Sequence, residues 1–244
     1  MLRSGVHYFP VAWPVFWGLA VLFVLVAGVV AARILRFASA SMGLGPKTML
    51  AVLLLSLLGS YINIPIAYWP ERQVSTAEEV IYFGIRYVIP VIHEWPATVL
   101  AVNVGGAVIP TVLSLYLIVR NNLYGLGIVA IAIVATACNL LAKPEPGLGI
   151  AEPVFVPPLI TAVTAVMLSR RYAGPLAYAS GSLGTLIGAD LLNLGKIQGL
   201  GAPIASIGGA GTFDGIFITS LLAVIYAGVF APADLGPTRA YRSG

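Results

Sequence analysis

Two aspartates stand where an apolar chain has least use for them. Asp190 lies in "GTLIGADLLNLGK" and Asp214 in "GAGTFDGIF", both within runs that otherwise read as membrane interior. A carboxylate in hydrocarbon costs about 2.5–3.5 kcal/mol on insertion scales, so an acid at that depth faces a protein interior or a wet cavity and is a functional candidate. Asp190 and Asn193 are three residues apart and share a helix face, while Gly181, Gly184 and Gly188 form a separate small-residue stripe. Asp214 follows Gly211 by three residues and adjoins Gly215, so water or a substrate can approach it past bare backbone. The preceding "SIGGAG", with Gly208 and Gly209, is a poor helix interior because each glycine costs roughly 1 kcal/mol relative to alanine. That span is expected to start unwound, which puts Asp214 near a helix N-terminus, where an ionised carboxylate is favoured.

Three uses of such a pair are open, and proteolysis is the leading one. If the aspartates meet, they share a proton across two split pKa values and activate water for attack on a peptide carbonyl, one as general base and the other as general acid. That is intramembrane aspartyl proteolysis, with a transmembrane substrate helix as partner, and nothing says which aspartate is acid and which base. Alternatively they bind a cation or proton in a coupled transporter of a small solute, the glycine-rich breaks supplying backbone ligands. Asn103, which precedes "VGGAVIP" in another Gly- and Pro-interrupted span, supports this reading, since paired broken spans point to a central binding site. The third use is structural: Asp190 pairs with Lys196 or loop amides, Asp214 caps a helix, and the protein is a non-enzymatic scaffold. Asn103, Asn193, Gly208, Gly209, Gly211 and Gly215 are the substrate-binding candidates on the first two readings.

The elements that must position these residues are apolar helices. Of the 244 residues, 59% are apolar and 9% charged, and the mean hydropathy is +0.97, outside the range of soluble domains. Runs near residues 14 to 33, 47 to 63, 97 to 119, 125 to 142, 150 to 169, 173 to 194 and 203 to 230 each approach the roughly 20 residues a span requires. The expected fold is all-α: one integral membrane domain over residues 1–244, a bundle of about seven spans with Gly- and Pro-broken helices. The first run exceeds a signal-peptide core and is read as an uncleaved span. Residues 64–96, rich in aromatic and β-branched side chains, suit an external hairpin or interfacial segment at headgroup level.

With the N-terminus outside and the C-terminus cytoplasmic, eight of the 13 basic residues fall inside and five outside, which follows the positive-inside rule for a multi-pass protein of the cell membrane. The basic residues are scattered and not clustered on one face, so nucleic acid is excluded as a partner and membrane lipids remain. The one cysteine, Cys138, supports neither a disulfide nor a thiolate metal site. His7 and His93 have no carboxylate spacing that makes a metal site, and no organic cofactor is signalled. "GLGPKT" lacks the Gly-Lys pair of a phosphate loop, and no serine has a histidine partner within the membrane. Asn63 and Asn139 are read as interhelical hydrogen-bonding residues, and Glu152 as interfacial. An internal repeat is suggested where "GPKTMLAVLLLSLLGSY" aligns with "GPLAYASGSLGTLIGAD" and "NVGGA" echoes "SIGGA"; the two halves would run in the same direction.

"GADLLNLGK", "GGAGTFDGIFITSLLAVIYA" and "NVGGAVIPTVLSLYLI" together resemble the uncharacterised prokaryotic membrane family catalogued as domain of unknown function 1614, over about Gly45 to Ala227. That resemblance implies a membrane location and no particular activity. A second, slighter likeness is to the presenilin and prepilin-peptidase group, which places one aspartate on each of two neighbouring spans. That group's motif is Gly-x-Gly-Asp, where this chain has Gly211, Thr212, Phe213 and Asp214, and the Pro-Ala-Leu motif of a later span is missing.

Overall fold

The computed structural model describes residues 13–82, 85–145, 149–197, 200, 202–209 and 215–231. Eight helices are described: α1 (Trp13–Ser41), α2 (Pro46–Gly59), α3 (Ile109–Arg120), α4 (Tyr124–Leu141), α5 (Val156–Leu168), α6 (Ala173–Thr185), the short α7 (Leu194–Ile197) and α8 (Gly215–Phe230). Prolines open three of them, Pro46 in α2, Pro110 in α3 and Pro157 in α5, where a missing N–H costs nothing and the fixed φ suits the first turn. Between α1 and α2 the chain reverses at Gly43, whose φ of 66° favours glycine.

Helix α6 is the axis of the bundle. All of its residues except Leu183 are buried, and α3, α4, α5 and α8 pack around it. Its sequence, "AGPLAYASGSLGT", is built from small residues, so neighbouring backbones come close. A Cβ on Gly184 would lie 2.6 Å from Val134 Cγ1 on α4, and one on Gly188 would run into the Ala135 carbonyl.

The interior of this bundle is small and partly polar, and its exterior is large and apolar. Ala130, Ala162, Ala165, Ala177, Ala223 and Ala227 are fully buried beside Ser114, Thr161 and Ser180. Outside, Phe23 is 74% exposed, Leu140 79% and Met167 81%, with exposed leucines, valines and isoleucines along α1 to α5. Among the described residues two helices, Val15–Ser41 and Tyr124–Leu141, are long and apolar enough to cross a membrane.

Strands correct the all-α expectation. β1 (Asn63–Trp69), β4 (Thr98–Asn103) and β7 (Ile204–Ile207) form a three-stranded sheet in the order β1-β4-β7, antiparallel between the first two and parallel between β4 and β7. β2 (Arg72–Tyr82) and β3 (Ile85–Trp95) make a separate hairpin, so the segment over 64–96 is strand throughout most of its length. β5 (Lys143–Glu145) and β6 (Gly149–Ala151) make a second, smaller one. The expected spans at 97–119 and 203–230 therefore each begin with a strand. Strand β4, "TVLAVN", has four buried and two partly buried residues, and a strand covered on both faces reads as a continuous apolar run with no alternation.

Candidate functional site

Helix α6 does not end cleanly. It passes into a π turn over Leu186–Asp190 and then a 3-10 turn over Leu191–Asn193, which leaves carbonyls without their usual helical partners. Asparagines take them up. Asn139 Nδ2 on α4 donates to the Gly188 carbonyl at 3.2 Å, and Asn193 Nδ2 donates to the carbonyls of Gly188 and Ala189, both at 3.0 Å. Asn193 is fully buried, and its Oδ1 accepts from Lys196 Nζ at 2.8 Å.

The π turn delivers Asp190 to the start of the loop that follows β7. Its Oδ2 accepts the Gly208 N–H at 2.7 Å, a bond strengthened when the carboxylate is ionised. Gly208 and Gly209 have φ of 88° and 79°, the left-handed region, so the chain turns here and presents its amide to the acid. The carbonyl of Gly208 packs directly on Gly106, leaving no room there for a Cβ. Two glycine pairs thus cross, one after each parallel strand: Gly105 and Gly106 after β4, Gly208 and Gly209 after β7.

Beside this crossing Asn103 ends β4 and opens the π turn Val104–Val108 that leads into α3. Its amide is saturated: Oδ1 accepts from Gly106 N at 2.8 Å, while Nδ2 donates to the Ser60 carbonyl at 2.7 Å and to Asn63 Oδ1 at 3.0 Å. Ser206 Oγ on β7 donates to the same Asn63 Oδ1 at 2.6 Å, and the Ser56 hydroxyl donates to the Gly105 carbonyl. Asn103 and Ser56 thus serve backbone at the glycine crossing, and Asn63 and Ser206 tie β1 and β7 to it through the Asn103 amide.

The sequence candidates divide accordingly. Asp190 and Gly208 are in direct contact, Gly209 follows, and Asn103 stands on the Gly106 side of the crossing. Asn193 lies instead on the α4 side of the π turn, with Asn139. Gly215 is the first residue of α8. Asp214 and Gly211 lie outside the described residues. Sequence reasoning missed Ser206 as a partner; Glu152, expected at the interface, is half-buried, with its Oε1 shielded from solvent. Among the described residues no three His, Cys, Asp or Glu side chains gather to hold a metal ion.

The fold and this site define a predominantly helical protein in which two parallel strands, each ending in a Gly-Gly turn, meet a π-broken central helix. The model of the family described as "Protein of unknown function (DUF1614)" matches residues 57–226, and the chain belongs to that family. The match takes in every described strand, α3 to α7 and most of α8. No curated protein and no solved structure matches the chain. The comparisons give no support to the likeness to presenilin and prepilin peptidases.

Proposed function

We propose that this is a multi-pass membrane protein of about seven spans, N-terminus outside, that couples a cation or proton to the movement of a small solute, with Asp190 as the ion-responsive group. The membrane reading is supported by the inverted packing of small and polar residues inside with large apolar ones outside, the pattern expected where lipid replaces water. Helix α3 alone covers about 18 Å of a hydrocarbon core about 30 Å thick. Its π turn and strand β4 supply the rest, and such non-helical backbone is tolerated in a bilayer where protein covers it, as it covers β4.

One observation carries the transport reading: Asp190 holds the Gly208 amide at the point where two glycine-broken segments cross. Parallel β4 and β7, each followed by a Gly-Gly turn and then a helix, support a duplicated unit of the parallel type, and transporters with such repeats carry their sites where the broken spans meet. An ion binding Asp190 competes with the Gly208 N–H for Oδ2, which converts binding into movement of one broken segment against the other. Coupling through Asp190 needs no second aspartate; Asp214, on which proteolysis depends, lies outside the described residues.

The test needs no knowledge of the solute. Full-length protein in liposomes on a solid-supported membrane, given a rapid jump of pH or of sodium concentration, is expected to show a charge-displacement transient absent from empty liposomes. Asp190→Asn is expected to abolish it. A wild-type protein silent to both jumps ends the reading.

A further inference from the structure

The π turn has a second acid in its neighbourhood that the site above does not use. Glu152 stands between β6 and α5, at the same end of α4 and α6 as Asp190. Its Oε1 is shielded from solvent, and its carboxylate lies against the thiol of Cys138 on α4. Cys138 is fully buried, with Sγ 3.5 Å from Thr185 Oγ1, the last residue of α6 before the π turn. The next residue on α4, Asn139, holds the Gly188 carbonyl within that turn, and the turn ends in Asp190. From Glu152 to Asp190 the contact between α4 and α6 is thus a run of hydrogen-bonding groups in an otherwise apolar seam.

The chemistry of the thiol against Glu152, and of the hydroxyl which that thiol touches, decides what Glu152 can hold. A thiol and a hydroxyl each donate and each accept, so the Cys138 thiol can donate to a carboxylate, or accept from a carboxylic acid while its own S–H turns to Thr185 Oγ1, with only a rotation of S–H or O–H. A metal cation in the same place would need several oxygen ligands around it, and the thiol is a poor substitute for one. Among the described residues, the ionisable groups at this end of the bundle are Cys138 on α4, Lys143 and Glu145 on β5, Asp190 on the π turn and Lys196 on α7. Lys143 and Glu145 are exposed, and Lys196 is committed to Asn193.

We propose that Glu152 is a proton-binding site and that the proton is the ion this protein couples. The step is the simplest one: the Glu152 carboxylate takes a proton from the aqueous phase, an O–H bond forms, and the same bond breaks on release. Protonation weakens the pull of Glu152 on the Cys138 thiol and so alters the α4 contact with α6 on which the Asp190 turn rests. In naming the proton, this inference rests on the transport reading; that Glu152 binds a proton does not.

Because Cys138 is the only cysteine, its S–H stretching band in the infrared reports on this cluster without ambiguity. In wild-type protein in lipid, lowering the pH is expected to move that band to higher frequency as the ionised acceptor is lost. In Glu152→Gln the band is expected to stay put over the same range, and the pH-jump transient to fall at least several-fold. A wild-type band that does not respond to pH overturns the proton site, and this needs no variant at all. If the band titrates in wild type but Glu152→Gln leaves the pH-jump transient intact, the proton site stands and its role in coupling is overturned. A wild-type protein silent to the pH jump but responsive to sodium keeps the transport reading and removes the proton from it.

Discussion

Every polar atom of the Asn103 amide is used within the protein, and all but one of its partners is main chain. A buried donor or acceptor left unsatisfied costs about 1–3 kcal/mol, far more than a satisfied bond contributes net. Asn103→Leu keeps the volume but strands the Gly106 N–H and the Ser60 carbonyl. It is expected to destabilise the protein by about 2–4 kcal/mol, read as a lowered midpoint of thermal unfolding in detergent. An unchanged midpoint would mean that water, and not Asn103, satisfies these groups. The sequence marked Asn103 as a candidate to touch a substrate by the Gly- and Pro-broken span it precedes, and Asn193 by the helix face it shares with Asp190. That they serve backbone was not legible, since their partners are set by a strand and a π turn that no local pattern announced. Asp190 was legible as unusual because a carboxylate is costly in hydrocarbon, but its attachment to Gly208 depends on two glycines with positive φ.

At the scale of elements, the strand, glycine pair and helix form the unit that brings these residues together. Gly208 combines a left-handed backbone with contacts a side chain would violate: a Cβ there would lie 2.5 Å from Ala107 N. A non-glycine residue in that conformation costs roughly 1–2 kcal/mol before any clash is counted. Gly208→Ala and Gly106→Ala are therefore expected to cut the yield of monodisperse protein on size-exclusion chromatography sharply. Gly125→Ala at the exposed start of α4, where a Cβ meets nothing within 4 Å, is expected to leave it unchanged. Equal yields from all three would show that the crossing tolerates separation. The echo of "NVGGA" by "SIGGA" was visible in the sequence, and so was a broken start to the last span. What stayed hidden was that β4 and β7 are strands: β4 is covered on both faces and so has no period, and the four residues of β7 are too few to show one.

For the whole molecule, the proposal of a multi-pass fold rests on what the surface is made of more than on helix length. A water-soluble bundle would not leave Leu54, Leu55 and Leu58 of α2 and Ile128, Val129 and Ile133 of α4 facing outward while filling its centre with alanine, serine and threonine. If lipid covers those faces, successive helices cross it in alternate directions and the loops sort by side. Arg72 and Lys143 then lie outside, and Arg120, after α3, and Arg170, after α5, lie in the cytoplasm; all four are exposed positions. The buried Cys138 gives a quiet background for labelling with a membrane-impermeant maleimide. Arg72→Cys and Lys143→Cys are expected to react in intact cells, and Arg120→Cys and Arg170→Cys only after the membrane is opened. Reversal of the two pairs would invert the orientation and keep the multi-pass fold, because the pairs still separate. Labelling of all four from one side would mean that α3, α4 and α5 do not traverse the bilayer, and a site coupling its two faces would then have no membrane to act across.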